Sequence, residues 1–426
     1  MKTRPPTSSR SATTCATSTR SSARPASTAA VLTAGCRLNQ SESDALRAQL
    51  RRQGIAVVEE PAQADTVYVN TCTVTAAADR SSLQLVHRAA RSGARVVVLG
   101  CLAEREPGRV TGLAGVAEVW DNARKQAELA GAVPEPARSR ALLKVQDGCA
   151  RRCAYCVVSG LRGPERSVPV AAVERALAEL VEQGFEEIVL TGLNLGAYHE
   201  ANGTTLAGLL ERLLGRPGRF RVRLGSVEPD TVDQRLLRLL SHEKLCPHLH
   251  LPMQTGDDRL LESTGRPYRA ADFARLCDAA VRSNPDTAIG ADVICGLPGE
   301  DEESFEVTRR FIAGLPVAYL HAFTFSPRPG TRAEGMAGRA ETHSARARVK
   351  ELRRFSDERR AGFGARYIGS ERFALAETDR TALTDNYLKL VLSGCRVEPG
   401  RLCRVRIGGG DGGLTGIVVD NPAARA

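Results

Sequence analysis

No stretch of this 426-residue sequence is apolar for long enough to cross a bilayer, which excludes an integral membrane helix and leaves no membrane partner to explain. Acidic residues are missing from the first 30 positions, "MKTRPPTSSRSATTCATSTRSSARPASTAA", and so is any apolar core of a secretory signal. That stretch holds five basic residues and 14 serines or threonines, so half of the formal net charge of +10 sits in it. Three readings fit such a tail: an organellar transit peptide, a disordered extension, or a start assigned too early. The abrupt onset of strand periodicity at "AAVLTAGC" favours the third. Methionine is scarce, with only Met253 and Met336 after Met1, so no other methionine offers a start ahead of the first strand. The remaining positive surplus is compatible with a polyanionic partner without requiring one. A Walker phosphate loop is also missing: the glycines of "CGLPGE" (295–300) have the wrong spacing, and a barrel turn accounts for them better.

What the sequence does have is cysteine, twelve in a chain without an export signal. In a reducing, cytoplasmic setting these are thiols, hence ligands or core residues rather than disulfides. Cys149, Cys153 and Cys156 form C-x3-C-x2-C within "VQDGCARRCAYC". Cys36, Cys72 and Cys101 lie far apart, but each follows an apolar, strand-like run: "VLTAGC", "TVYVNTC" and "RVVVLGC". Cys15 falls in the tail; Cys246, Cys277, Cys295, Cys395 and Cys403 have ordinary surroundings that, for most of them, suit buried thiols.

The periodicity predicts strand 30–35, helix 41–53, strand 66–69, helix 77–92, strand 95–99 and a short helix, a small parallel α/β domain over residues 29–130. Ligands of such sheets gather beyond the carboxyl ends of the strands, where all three isolated cysteines lie. Residues 131–140, "GAVPEPARSR", form a linker. Repeated βα units then fill residues 141–365, with strands in 186–196, 219–229, 248–256, 287–300 and 318–331, a full or partial barrel whose function belongs on the loops after its strands. Short strands with glycine-rich turns, "RFALAE", "YLKLVL", "LCRVRI" and "GLTGIVV", make residues 366–426 a small all-β barrel.

A structural zinc site closes its shell with four ligands, and no fourth cysteine or histidine follows Cys156 nearby. Three thiolates suit a [4Fe–4S] cluster with one iron left open. The triplet, with Tyr155 just before its last cysteine, the βα repeats and "LTGLN", resembles the radical S-adenosylmethionine (SAM) superfamily. "GCRLNQSESD", "NTCTVTAAADRSS" and "VVLGCLAE" further resemble the methylthiotransferases of that superfamily, over roughly residues 30–424.

That resemblance implies two [4Fe–4S] clusters, one on Cys149, Cys153 and Cys156 and a second on Cys36, Cys72 and Cys101. SAM, cleaved reductively at the first, yields a radical that removes hydrogen from an unactivated carbon. The second presents the sulfur that is methylated and transferred. No acid–base dyad is needed. Tyr155 is expected near the cofactor, and Thr191, Gly192 and Asn194 occupy the place of the loop for its amino group. Glu228, Gln254 and Asp292 end later strands and can face it, although ordinary strand-end residues look the same. His248 and His250 share a strand face and suit strand residues better than metal ligands.

The motifs "GCRLNQ" and "NTCTVT" look most like the branch that modifies N6-threonylcarbamoyladenosine beside the tRNA anticodon. The alternatives within the family are isopentenyladenosine tRNA and a ribosomal protein. The final module resembles the TRAM domain, a small RNA-binding barrel, with Arg401, Arg404, Arg406 and Tyr387 as basic and stacking groups. An electron donor such as flavodoxin or ferredoxin is implied. One departure is "VVSGLRGPERS" after Cys156, where relatives carry a proline at Ser159 or Gly160. Two rivals remain: a non-catalytic zinc-containing RNA-binding protein, and a radical enzyme whose other cluster only relays electrons.

Overall fold

The computed structural model describes residues 27–136, 138–410 and 413–420. The tail discussed above, with Cys15, lies outside the described residues up to position 26. Among the described residues no helix is long and apolar enough to cross a membrane.

The first unit is a parallel sheet of β1 (Thr28–Thr33), β2 (Ala56–Val57), β3 (Thr66–Thr71), β4 (Arg95–Gly100) and β5 (Val116–Val119), in the order β2-β1-β3-β4-β5. Its inner strand β4 alternates faces residue by residue. Val96 and Val98 pack with Val67, Val69, Val86 and Leu102 on one side. Val97 and Leu99 pack with Val31, Leu46, Leu50 and Trp120 on the other. Both faces are therefore covered, which is why "VVVL" (96–99) is apolar throughout instead of alternating with polar residues.

Two elements depart from the expected boundaries. The first strand ends at Thr33, and the first helix, α1 (Arg37–Arg52), begins four residues earlier than the period predicts, directly after Cys36. The reason is polar burial. Asn39 falls ahead of the expected start, yet it is buried on α1 together with Ser41, Glu42, Ser43 and Asp44. The second helix, α2 (Ala76–Ala90), starts at an N-cap in which Thr75 accepts from the Ala78 amide. The short strands β2 and β5, too brief to show a period, were not foreseen.

The central unit joins β6 (Ala141–Lys144), β9 (Glu187–Thr191) and β10 (Arg221–Leu224) to β11 (His248–Gln254), β12 (Ala288–Cys295) and β13 (Tyr319–Thr324). A two-stranded ribbon, β7 (Gln146–Asp147) with β8 (Arg166–Ser167), lies between β6 and β9 in sequence. The two parallel triplets are β10-β9-β6 and β11-β12-β13, and parallel bridges Val222–Leu245 and Ser226–His250 connect β10 toward β11. The result is a partial barrel of six strands around one continuous apolar core that includes Leu190, Val222, Leu249, Ile289 and Leu320. Helices such as Val170–Glu182 and Ala270–Ser283 cover it outside.

The last strands are β14 (Glu371–Ala376), β15 (Thr381–Thr384), β16 (Lys389–Ser393), β17 (Leu402–Gly410) and β18 (Gly413–Asp420), closed as β14-β15-β16-β18-β17. β15, "TALT", was missed at the sequence level because it has only four residues. A buried cluster fastens this barrel to the core. Glu187, side chain wholly buried, takes Arg221 at 2.6 Å and Arg223 at 2.8 Å. The two guanidiniums donate onward to barrel carbonyls, Arg221 to those of Phe373 and Leu383 and Arg223 to those of Thr384 and Asp385. Burial pushes the Glu187 carboxyl up, but Arg223 and Arg221 outweigh it and hold it well below the usual carboxylate range.

Removing one partner of such a pair strands the others in a dry site. Glu187→Ala is therefore expected to cost about 3–5 kcal/mol of stability, read by chemical denaturation. Because the folded carboxyl is depressed, its contribution is fully present above the unfolded value of about 4.3 and is lost as pH falls. Wild-type unfolding midpoints should thus fall between about pH 5 and pH 2 more steeply than those of Glu187→Ala; equal slopes would refute the assignment.

Candidate active site

The carboxyl ends of β1, β3 and β4 deliver three thiols to one rim. Cys36 precedes α1, Cys72 follows β3 by one residue, and Cys101 opens the short helix α3 (Cys101–Arg105) without an intervening loop. Gly35 and Gly100, one before each of the outer two cysteines, have φ of +108° and +97°. A Cβ on Gly35 would stand 2.5 Å from Cys72 Cβ, and one on Gly100 would stand 2.4 Å from the Thr71 carbonyl. Only glycine lets these turns close against the neighbouring strand. Polar side chains then lock the rim. Asn39 donates to the Asn70 side chain and the Thr71 carbonyl, Asn70 donates back to the Asn39 carbonyl, and Ser82 bonds both the amide and the carbonyl of Cys72. The Cys36 thiol donates to Asn39 Oδ1 at 3.1 Å.

Burial pushes the Cys72 thiol up to about 11 and raises Cys36, even though Cys36 is open to solvent on one side. The thiols also interact: Cys36 and Cys101 each oppose ionisation of Cys72, while Arg162 favours it. Arg162 belongs to a buried charge network that the sequence did not reveal. It donates to Glu42 of α1 at 2.7 Å and to Asp147 of β7 at 3.1 Å. Lys125 reaches Glu42 at 3.1 Å, and Lys144 reaches both Glu42 and Asp147, at 3.4 and 3.2 Å. Three cations face two carboxylates, which leaves a positive excess beside the three thiols.

The C-x3-C-x2-C segment occupies the loop between β7 and helix Val158–Arg162. Its backbone is tied down by bonds from the Cys149 amide to the Gly163 carbonyl, from the Ala154 amide to the Thr264 carbonyl, and from the Ala333 amide to the Ala154 carbonyl. Burial raises Cys156 and pushes Cys149 up to about 11, with the charge of Cys153 adding to both and that of Cys156 adding to Cys149. Arg266 donates toward Cys153 Sγ at 3.5 Å while paired with Glu228 and bonded to the Pro252 carbonyl. Glu228 thus already has a fixed protein partner, through which it orients Arg266 beside Cys153.

Thr191, Gly192 and Asp292 come together with Cys36 in one cavity of about 410 Å³. Asn194 stands just behind: Gln146 Oε1 accepts its amide, Glu165 accepts its side-chain NH₂, and its Oδ1 is buried without a partner. The Tyr155 hydroxyl is another buried group without a partner. Leaving such groups unpaired costs about 1–3 kcal/mol each. Two orphaned polar atoms near three convergent thiols fit a cluster and a polar, amino-acid-bearing cofactor. Gln254 ends β11 at a register shift, with φ of +73°, a strained setting for a residue other than glycine.

Arg37, Tyr319 and His321, which also line the cavity, escaped sequence reading. Asp292, expected at a strand end, lies within β12 and is hydrogen-bonded by His250 at 3.3 Å and His321 at 3.5 Å. Burial raises its carboxyl, but the two imidazoles bring it down to about 2. His248 is fully buried, which lowers its basicity far below the usual value, and it bonds the Tyr319 hydroxyl at 2.8 Å. Tyr387, expected as a stacking group for RNA on the barrel, is turned inward instead. Its ring stacks on His248 at 4.2 Å and on Tyr319 at 5.3 Å, with φ of +69°. A tyrosine held in the left-handed region by packing costs about 1–3 kcal/mol, a strain typical of functional sites. No local pattern in "TDNYLKL" distinguishes an inward ring from an outward one. Arg401 donates to the Gly184 carbonyl, whereas Arg404 and Arg406 are exposed beside Glu371.

Comparison with known proteins agrees with this geometry. Residues 28–120 match the uncharacterized protein family UPF0004, and residues 143–312 match the radical SAM superfamily. The threonylcarbamoyladenosine tRNA methylthiotransferase MtaB of Aquifex aeolicus is 34% identical over 88% of this chain and 98% of its own. The MtaB of Thermotoga maritima is 33% identical over 82% and 86%, and that of Bacillus subtilis 31% over 89% and 93%. Among solved structures, the radical SAM methyltransferase TsrM of Kitasatospora setae shares the fold, with a TM-score of 0.54 at 16% identity over 72% of this chain and 76% of that one. With two families matched in tandem and identity above 30% across almost the whole of a relative, the chain belongs to the radical SAM methylthiotransferases of the MtaB kind.

Proposed function

We propose that the chain adds a methylthio group to C2 of N6-threonylcarbamoyladenosine next to the tRNA anticodon. One observation carries the reading: Cys36, from the first unit, opens into the same cavity as Thr191 and Gly192, at the end of β9, and Asp292 of β12, in the central barrel. A sulfur-presenting site and a radical-generating site can then serve one substrate carbon. The likeness to relatives named for this activity supports the choice of nucleoside.

In this reading Cys149, Cys153 and Cys156 hold the [4Fe–4S] cluster that the superfamily implies, and Cys36, Cys72 and Cys101 hold a second. Bound there, the clusters and SAM supply the radical that opens a carbon–hydrogen bond and the sulfur that takes its place. The chain's own residues do the rest. Arg162 and its network offset thiolate charge at the rim, while Arg266 steadies Cys153. Asn194, with its unpaired Oδ1, offers an acceptor to the cofactor's amino group, beside Thr191 and Gly192. Tyr319, His248 and Tyr387 form a flat wall that excludes water and can lie against a purine. The C-terminal barrel acts as a TRAM-like RNA-binding domain through exposed Arg404 and Arg406, and Arg401 spends its guanidinium on the core. Electrons come from a flavodoxin- or ferredoxin-type donor, and tRNA as substrate places the work in the cytoplasm.

Two measurements test this. In a host lacking its own enzyme of this kind, expression should introduce the 2-methylthio form of threonylcarbamoyladenosine into tRNA, seen by nucleoside mass spectrometry. Anaerobically reconstituted protein should carry about eight irons, and Cys36→Ala/Cys72→Ala/Cys101→Ala about four. A triple variant with undiminished iron would dispose of the second cluster.

A further inference from the structure

The charges in the cavity are few. Of the residues that line it, Arg37 is the one lysine or arginine and Asp292 the one carboxylate. The carboxylate is already engaged, by His250 and His321. The guanidinium is not: among the described residues no carboxylate pairs with Arg37, and its hydrogen bond is to the Tyr387 hydroxyl at 3.3 Å. The contrast with other half-buried or buried arginines around the site is clear. Arg162 has Glu42 and Asp147, Arg223 has Glu187, and Arg266 has Glu228. A guanidinium carries five donors in a planar fork that matches a carboxylate, and Arg37 uses one of them.

The other walls specify what kind of anion fits. His248, Tyr319 and Tyr387 present nearly parallel rings, with interplanar angles of 23° between Tyr387 and each of the other two. An aromatic stack lining the cavity, with a guanidinium that no carboxylate engages beside it, suits a planar heterocycle that carries a carboxylate on a short arm.

We infer that Arg37 binds the carboxylate of the threonylcarbamoyl group on the acceptor adenosine, with Tyr387 holding the guanidinium in place, and so selects this nucleoside over uncharged N6-modified adenosines. The inference rests on the function proposed above and adds the residue that distinguishes its substrate. Placement one residue from Cys36 links recognition of the side arm to the rim that presents sulfur. The arrangement also explains why the barrel sends a strained tyrosine into the core: its ring is part of the wall and its hydroxyl positions the arginine.

The test is binding, by fluorescence anisotropy, of the reconstituted protein with SAM to three anticodon hairpins. One carries threonylcarbamoyladenosine, one its carboxylate methyl ester, and one plain adenosine. Wild type should prefer the acid to the ester by on the order of tenfold or more, the range for a lost charge-assisted, bidentate contact. Arg37→Gln should bring acid and ester to within about twofold, with unchanged iron content, while affinity for the plain hairpin is kept. Tyr387→Phe should reduce the preference by an intermediate factor, and it serves if Arg37→Gln fails to fold. Full acid-over-ester preference in both variants would overturn the inference, as would a wild type that makes the methylthio product yet shows no such preference. In the latter case the proposed function stands; absence of product from wild type tells against the function itself.

Discussion

The architecture depends on one buried ionic cluster. Glu42 of the first helix is enclosed by Arg162, Lys125 and Lys144, and Asp147 takes part of the same charge. Burying five formal charges is expensive, and such clusters add little net stability compared with apolar packing. What they add is register. A guanidinium that must meet two carboxylates on different units allows one docking pose, and a shifted pose leaves a charge unpaired at a cost of several kcal/mol. The cluster sits where α1, which follows Cys36, meets the helix that follows Cys156. The relative placement of two remote cysteine groups is therefore set by electrostatics rather than by the shape of an apolar surface.

This also explains what sequence reading could and could not recover. The apolar strands β3 and β4 announce themselves, because a strand covered on both faces is largely apolar. The cysteines at the ends of such strands were legible for the same reason: the strand tells where its carboxyl end lies. The start of α1 was not, since its buried face includes Asn39, Ser41 and Glu42, polar residues whose partners Asn70, Leu142 and Lys125 are remote in sequence. Lys125 and Arg162 look like surface residues in sequence; only tertiary structure makes them core. Glu228 illustrates a subtler limit. A strand-end carboxylate looks the same whether it is free for a ligand or committed to Arg266, and the committed state was not visible.

The cavity shows a further division of labour. Radical chemistry needs a dry enclosure, whereas recognition of a nucleoside needs polar discrimination, and the two demands conflict in a small volume. The protein separates them. His248 is kept uncharged by burial and Asp292 is kept charged by two imidazoles, so neither is a free acid or base. The remaining polarity is concentrated at Arg37, at the edge where the first sheet meets the barrel loop.

Tyr387 has a consequence in the order in which the protein is made. Domains fold broadly in the order of their synthesis. All six cysteines of the two groups emerge long before Tyr387, and so do the strands that carry His248 and Tyr319. A growing chain can therefore possess both thiol groups while the wall that shields them is incomplete. The last contribution to the cavity comes from the barrel, once β15 is paired and its following turn is pressed into the left-handed conformation. The wall is thus complete only once the C-terminal barrel is in place, an order set by the position of one tyrosine along the chain.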